Sequence, residues 1–232
     1  MIALTEEQKQ MRQLCRDFVD DKVIPFIRAN REREWTAPPQ ERLPWELLKE
    51  AHKLGLRSLG VPEKYGGIKL ESQAQTFAII AEELARGDSG FSDMMGQLWK
   101  IPVLLSHIAP PHLQDVWFPR FMDDPTFLIA HCLTEPRGAS DRWLPYNAPE
   151  ANMNTKAVFK DGHWVINGRK QFITNGYDAK LYVVYANTNP SVGVADGTSS
   201  FLVPRDTPGL IPTKVNEKMG ARYMNNGEFV LD

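Results

Sequence analysis

Two segments of this 232-residue chain carry residue types that could hold a planar, charged ligand. Residues 130–141 and residues 164–176 each read as a strand that ends in hydroxyl-bearing and turn residues. Strand ends present backbone N–H groups in fixed directions, and apolar walls with a few polar groups suit a flat heteroaromatic ring with a phosphate chain. The same residue types are common in ordinary strands and turns, and alone they favour that structural explanation. The side chains in question are Thr134, Ser140, Phe172 and Thr174.

Other catalytic signatures are absent from the sequence. It contains no G-x-G-x-x-G dinucleotide fingerprint, no phosphate-binding Walker loop and no G-x-S-x-G nucleophile turn. Its five histidines are scattered, with no pair at metal-ligand spacing, so no metal site is predicted. Cys132 lies in an apolar stretch, where an inert buried thiol is expected.

Composition and charge exclude several classes of partner. The net charge of −2 and the lack of a basic stripe give no sign of a surface that binds nucleic acid. No apolar run approaches the roughly 20 residues needed to span a bilayer, and the N-terminus does not resemble a signal peptide. Two cysteines are too few for a disulfide framework and fit a reducing compartment. A cytoplasmic location is therefore predicted.

Helical periodicity extends from the N-terminus to about residue 122. Thr5 with Gln8 has the form of a capping box that begins a helix, and Ser72 with Gln75 is a second possible one. The other predicted features are helix ends at Gly55 and Gly87, a loop over residues 28–39, and helices around 92–107 and 112–122 that contain Pro102 and Pro119.

From Phe127 onward the period changes to two, which indicates strands. Asp161-Gly162 and Asn167-Gly168 are both predicted to be hairpin turns, because Gly tolerates the positive φ of tight turns. The predicted fold class is α+β, with an N-terminal all-α helical domain followed by an antiparallel β-barrel or orthogonal-sheet middle domain. The domains are expected at residues 1–123 and 124–232, and strands at 127–133, 164–166, 170–174, 181–186, 200–203 and 227–232.

Several motifs resemble those of the acyl-CoA dehydrogenase family. Residues 133–141 resemble its L-T-E-P-x-A-G-S-D signature, and residues 166–176 resemble I-N-G-x-K-x-W-I-T-N-G. Residues 61–67 resemble its V-P-E-x-Y-G-G loop, and residues 81–85 its A-E-E-L-A helix. Further family-like motifs follow in the family's order at 201–204, 207–210 and 218–220. The resemblance therefore covers the whole chain.

The resemblance implies a binding site for FAD. Backbone N–H groups and the Thr134 hydroxyl would bond the pyrimidine side of the isoalloxazine ring, and Ser140 would lie near the pyrophosphate and the thioester arm of acyl-CoA. The Thr174 hydroxyl would lie near the ring nitrogen that accepts hydride. The implied cofactor-binding residues are His131, Cys132, Leu133, Thr134, Ser140, Phe172, Ile173 and Thr174, with Ser140 also implied in substrate binding.

The resemblance also implies a reaction and its partners. Family members remove the α-proton of an acyl-CoA thioester with a glutamate and pass the β-hydrogen to FAD as hydride. That glutamate belongs to a C-terminal helical bundle, so the base is expected beyond Asp232, and the chain is expected to be a truncated form that is inactive alone. Electron-transfer flavoprotein is the implied electron acceptor, a homo-oligomer the implied full-length state, and fatty acid metabolism the implied role.

The chain departs from the family pattern in several places. Gly138-Ala139 replaces the family's A-G, Arg137 precedes it, and Phe172 stands where Trp is usual. His131 is also unusual at its position, and a hydrogen-bonded structural histidine is favoured there over a redox-tuning role. Glu135 is expected to orient its loop rather than to act as a base.

Two alternative functions remain open. Flavin-dependent oxidases and monooxygenases share the family's fold. A non-catalytic binding or assembly module would also be compatible with a missing base. The substrate cannot be read from the sequence, and only Trp99, Met94 and Met95 are candidates for the floor of an acyl pocket.

Overall fold

The computed structural model describes residues 3–138 and 148–232. The chain divides into two compact units, Met1–Phe127 with Glu217–Met224, and Leu128–Asn216 with Asn225–Asp232. The first unit is helical and the second is built on a sheet. The predicted order of a helical domain followed by a β domain is therefore confirmed.

The helical unit begins with the predicted capping box. The Gln8 N–H donates to the Thr5 hydroxyl at 3.2 Å, and the Thr5 N–H donates to the Gln8 side-chain oxygen at 3.1 Å. A π-helical turn, Val19–Val23, joins the first two helices. No helix in the described part of the chain is long and apolar enough to cross a membrane. The helices of this unit are α1 (Glu6–Phe18), α2 (Ile24–Ala29), α3 (Arg31–Thr36), α4 (Trp45–Lys53), α5 (Gln73–Gly87), α6 (Ser89–Ile108) and α7 (Pro111–Asp123).

The structure corrects two predictions about helix boundaries. Ser72 precedes α5, but its φ is 45° and its side chain makes no capping bond. A capping side chain needs extended backbone at that position, so the predicted second box is wrong. The predicted loop over 28–39 is also wrong in part, because Arg and Glu are good helix formers and Arg31–Thr36 is the short helix α3.

Helix α6 supplies much of the core of the helical unit. Phe91, Met94, Met95 and Trp99 are all at most 2% exposed. The Trp99 indole stacks on Phe77 at 5.5 Å between ring centroids. These contacts make Met94, Met95 and Trp99 core residues of this unit.

The second unit is a curled mixed sheet in which most pairings are antiparallel. Its strand order is β1-β4-β2-β3-β7-β6, with β5 paired to β4. β1 pairs with β4 in parallel, and β2 also pairs with β4 in parallel through one residue pair. The expectation of an antiparallel domain therefore holds only for the other strand pairs. The strands are β1 (Ile129–Cys132), β2 (Lys156–Lys160), β3 (His163–Thr174), β4 (Leu181–Asn187), β5 (Thr198–Pro204), β6 (Leu210–Val215) and β7 (Asn226–Leu231), with a short helix α8 (Val194–Gly197) before β5.

Of the two predicted hairpin turns, one is present. Asp161 and Gly162 have φ of 51° and 79° and connect β2 to β3. The predicted turn at Asn167-Gly168 is wrong, because β3 continues through both residues. Gly168 instead lets the strand approach Thr155, whose Cα and side chain would meet any added Cβ.

Candidate functional site

The first predicted segment leaves the sheet where β1 ends. Cys132 is the last residue of β1 in register, opposite Val184 of β4. Leu133 and Thr134 follow and are half-buried. Among the described residues the Thr134 hydroxyl has no hydrogen-bond partner, although the Thr134 carbonyl accepts one. A polar group is therefore available at this strand end.

The second segment contains an irregularity in β3. The pairing of β3 with β7 shifts register between Lys170 and Ile173, which is characteristic of a β-bulge. Phe172 lies in the bulge with φ of 55°, and its side chain is 55% exposed. Ile173 returns to the core at 2% exposure. The bulge thus turns one aromatic ring out of the sheet.

The structure brings the two predicted segments together. The Gln171 N–H donates to the Thr134 carbonyl at 3.1 Å, and the Gln171 side-chain amide donates to the Glu135 carbonyl at 3.2 Å. The Lys170 ammonium donates to the Leu133 carbonyl at 3.2 Å. Consecutive residues of the bulge therefore hold the strand end at 133–135.

A buried ion pair supports this junction. Lys170 Nζ lies 3.0 Å from Glu135 Oε1, and the two side chains are 0% and 1% exposed. Burial alone raises the pKa of Glu135, but the Lys170 charge and the Thr155 N–H outweigh it and hold that pKa below its usual range. Lys170 was not singled out from the sequence. Its one signal is a lysine at an inward position of a strand, which requires a buried partner.

Glu135 is fully engaged in structural contacts. Besides Lys170, its carboxylate accepts the N–H of Asn154 at 2.8 Å and that of Thr155 at 2.9 Å. The Glu135 side chain is 1% exposed and three donors hold its carboxylate, so its oxygens are committed to the surrounding backbone and to Lys170. These contacts support the interpretation that Glu135 orients the loop.

The remaining residues predicted on β1 are also placed by the sheet. His131 is half-buried, and its Nε2 lies 2.9 Å from the Tyr185 hydroxyl, with the two rings edge to face at 5.1 Å. This contact agrees with a hydrogen-bonded structural histidine. Cys132 is completely buried, and burial raises the pKa of its thiol, so it is not a nucleophile.

The structure places most of the predicted set at this junction. Thr174 is half-buried at the end of β3. Because Cys132 and Ile173 point into the core, only their backbone groups could face a ligand. Ser140 lies outside the described residues. No group of three or more His, Cys, Asp or Glu that could hold a metal occurs within residues 3–138 and 148–232.

The residues present fit a flavin. A planar ring with polar edges needs an apolar face and fixed donors rather than a charged pocket. The exposed Phe172 ring supplies the apolar face, and the Thr134 hydroxyl, which has no partner within residues 3–138 and 148–232, can donate or accept. Both are fixed to rigid strands by the Gln171 and Lys170 contacts.

Family comparison covers almost the whole chain. The profile described as acyl-CoA dehydrogenase, N-terminal domain, matches residues 5–124. The profile described as acyl-CoA dehydrogenase, middle domain, matches residues 130–232. The two matches occur in the order predicted from the motifs.

Individual proteins give the same result. A cyclohex-1-ene-1-carbonyl-CoA dehydrogenase of Syntrophus aciditrophicus is 35% identical over 234 residues, which cover 100% of this chain and 52% of that protein. The structure of an FAD complex of PigA is 26% identical, with a TM-score of 0.84 over 100% of this chain and 56% of that one. The prolyl acyl carrier protein oxidase AnaB is 25% identical, with a TM-score of 0.82 over 99% of this chain and 57% of that one. The chain thus spans about half the length of the relatives it matches.

Proposed function

Because the chain belongs to the acyl-CoA dehydrogenase family, we propose that it forms the flavin-binding part of an FAD-dependent acyl-CoA dehydrogenase. The observation that carries this proposal is the junction between the two strand ends. There the Gln171 N–H bonds the Thr134 carbonyl, and the free Thr134 hydroxyl and the exposed Phe172 ring are held on adjoining strand ends. Bound FAD would accept hydride from the substrate.

The residues of the junction have separate proposed roles. Thr134 and the backbone that follows His131 would bond the polar edge of the flavin, and Phe172 would cover part of its apolar face. Thr174 would approach the ring from the end of β3. Hydroxyl and N–H donors fixed in advance stabilise the negative charge that a reduced flavin acquires. Ser140 is proposed to contact the pyrophosphate and the thioester arm.

The base and the partners are proposed from the family. Burial and three donors argue against Glu135 as the base. We therefore expect a glutamate outside these 232 residues to remove the α-proton, so that this chain alone would bind flavin without turnover. Acyl-CoA is the proposed substrate, electron-transfer flavoprotein the proposed acceptor, and a homo-oligomer the proposed full-length state.

The proposal is tested by flavin spectroscopy on the full-length protein. Purified protein should carry FAD, and the flavin absorbance should bleach when an acyl-CoA is added without oxygen. Thr134→Ala should weaken FAD binding by up to about tenfold, since a hydrogen bond between neutral groups, here the hydroxyl and the oxidised flavin, contributes about 0.5–1.5 kcal/mol. A colourless protein that binds no FAD would contradict the proposal and would favour the non-catalytic binding module.

An oxidase is the second candidate function. It is favoured by the similarity to the prolyl acyl carrier protein oxidase AnaB, whose TM-score of 0.82 is close to that of the PigA complex. The two reactions share the flavin and differ in the electron acceptor. Rapid oxygen consumption by the substrate-reduced full-length protein would identify an oxidase. A reduced flavin that is stable in air, yet reoxidised by an electron-transfer flavoprotein, would identify a dehydrogenase.

A further inference from the structure

Three hydrogen bonds tie the loop between β3 and β4 to the start of β1 and to the residue before β7. The Asn175 side-chain amide donates to the Ile129 carbonyl of β1 at 3.3 Å, and the Lys180 N–H donates to the Leu128 carbonyl at 2.9 Å. The Asn175 N–H donates to the Asn225 carbonyl, just before β7, at 3.2 Å. This loop begins directly after Thr174, so its attachments fix where the end of β3 lies.

Two consecutive asparagines attach both sides of this segment. The Asn226 side-chain amide donates to the Phe172 carbonyl at 3.0 Å, on the bulge side of Thr174. The Asn225 side-chain amide donates to the Asp178 carboxylate, on the loop side. Two hydrogen bonds from the start of β7 therefore hold residues 172–178.

The contacts around Asp178 are costly for the fold. The side-chain oxygens of Asn175 and Asn225 are both buried and have no hydrogen-bond partner among the residues that the structure describes. Burial raises the pKa of Asp178 to about 6, although the Asn225 amide and the Arg205 guanidinium oppose that rise. Two unpaired amide oxygens and a poorly solvated carboxylate in one place do not favour stability, which points to a functional reason for keeping them.

We propose that Asp178, Asn225 and Asn226 are positioning residues that hold the Phe172–Thr174 segment for FAD and so set the affinity for FAD without touching it. The inference rests on the flavin site proposed above. An ionised carboxylate accepts the Asn225 N–H more strongly than a neutral acid does, because the bond is charge-assisted. The segment is then held best when Asp178 is ionised.

The groups that face Asp178 allow its effect to be isolated. Arg205, after β5, donates to the Tyr177 carbonyl at 2.6 Å and to the Tyr182 hydroxyl of β4 at 2.7 Å. Asn225 faces it from the β7 side. Burial raises the pKa of Tyr182 to about 12, so the Tyr182 hydroxyl stays protonated between pH 5 and 7. Of Tyr182 and Asp178, only Asp178 changes charge in that range.

The test measures the dissociation constant of FAD from the full-length protein at pH 5, 6 and 7. We expect wild-type affinity to fall about tenfold as pH drops from 7 to 5, as expected for loss of a charge-assisted bond. Asp178→Asn should bind FAD about as weakly at pH 7 as wild type does at pH 5, with little change over the range. Asp206→Asn, a change at an exposed residue of the same unit, should match wild type at every pH.

A second variant keeps the inference testable if Asp178→Asn does not fold. Asn226→Ser removes only the side-chain hydrogen bond to the Phe172 carbonyl, and it should also weaken FAD binding at pH 7. An Asp178→Asn protein that folds and matches wild type in affinity and pH profile would overturn the inference, as would wild-type affinity in Asn226→Ser. Absence of FAD binding by wild type at any pH would instead overturn the proposed function.

Discussion

Phe172 combines an exposed ring with a left-handed backbone. Non-glycine residues rarely adopt positive φ, and the strain costs about 1 kcal/mol or more. The ring is 55% exposed, so burial does not offset that cost within this chain. A ligand on the ring would explain why an aromatic residue is kept at a position suited to glycine.

Phe172→Gly should therefore change stability and FAD affinity in opposite directions. Relief of the positive φ should leave the free energy of unfolding of the apoprotein unchanged or raise it by up to about 1 kcal/mol. Loss of the ring should weaken FAD binding about tenfold, because an aromatic contact contributes about 0.5–1.5 kcal/mol beyond the area that it buries. Urea denaturation and fluorescence titration measure the two quantities.

Phe159→Ala is the matched control for this change. Phe159 is 60% exposed in the same unit but lies away from the junction, in β2. It should leave FAD affinity at the wild-type value. Equal loss of affinity in both variants would show that the effect of Phe172 is not local.

The Lys170–Glu135 pair should dominate the stability of the junction. Glu135→Gln leaves the Lys170 ammonium buried without a countercharge, and breaking a buried pair costs about 3–5 kcal/mol. Glu6→Gln breaks the Lys9–Glu6 pair, whose side chains are 53% and 82% exposed, and should cost less than about 1 kcal/mol. Similar unfolding midpoints in the two variants would contradict this assignment.

The same pair sets a pH dependence of stability. The folded pKa of Glu135 lies below its unfolded value of about 4.3. Its contribution to stability is therefore complete above that unfolded value and is lost as pH falls through the folded pKa. In Glu135→Gln the free energy of unfolding should therefore depend less on pH below about pH 4.

The residues proposed to face the flavin could be named from the sequence, whereas Lys170, Asp178 and Asn225, which support them, could not. Thr134, Phe172 and Thr174 belong to contiguous motifs, so a resemblance transfers them directly. Lys170 meets Glu135 across 35 positions of sequence, and Asn225 meets Asp178 across 47. Such contacts depend on strand register, which no local pattern specifies.

At the scale of elements, two glycines near α6 differ in how much room they have for a side chain. A Cβ on Gly60 would stand on the backbone carbonyl of Trp99 in α6, whereas a Cβ on Gly96 within α6 would meet nothing within 4 Å. Gly60 directly precedes the segment 61–67 that resembles a family motif, and Gly96 lies within α6. The two positions therefore give a matched pair of Gly→Ala changes in one unit.

Gly60→Ala and Gly96→Ala should have opposite effects on stability. Overpacking against a backbone carbonyl costs about 1–3 kcal/mol, because the helix must move away. Alanine in an open helical position gains up to about 1 kcal/mol over glycine. The melting temperature should fall in the first variant and rise in the second. A rise in both would show that α6 moves freely to accommodate Gly60→Ala.

Local elements were predictable where their signals are local. The Thr5–Gln8 box spans three residues, and the Asp161-Gly162 turn needs only two residues of positive φ. Local signals gave the wrong prediction at Ser72, whose backbone is left-handed, and at Gly168, whose small size lets β3 lie close to Thr155. The parallel pairing of β1 with β4 was also missed, since alternation of residues does not reveal direction.

At the scale of the whole molecule, the segment Glu217–Met224 belongs to the helical unit although it follows six strands of the sheet unit. Arg42 binds Glu217 with two hydrogen bonds of 2.8 and 3.0 Å. Arg222 donates to the Glu34 carbonyl at 3.0 Å, and its guanidinium lies 4.5 Å from the Trp35 ring centroid. The sequence alone does not indicate that this segment belongs to the helical unit, because it lies about 180 residues beyond its partners.

Tyr223 is the core residue that the segment supplies. It is 0% exposed, its hydroxyl donates to the Asn30 carbonyl at 2.7 Å, and its ring packs edge to face against Phe26 at 5.8 Å. Losing a buried aromatic ring costs about 3–5 kcal/mol, a large share of the 5–15 kcal/mol that stabilises a domain. The helical unit is therefore complete only when this later segment is present.

This dependence predicts how fragments of the chain behave. Residues 1–127 expressed alone should keep helical circular dichroism but bind 8-anilinonaphthalene-1-sulfonate and unfold with little cooperativity, because the site of Tyr223 is left open. Joining residues 217–224 to residue 127 through a flexible Gly/Ser linker should suppress dye binding and restore a cooperative transition. The same fusion with Tyr223→Ala should not restore it, which separates the contribution of the ring from that of added chain length. Cooperative unfolding of residues 1–127 alone would show that the helices are complete by themselves and that the later segment merely lies against them.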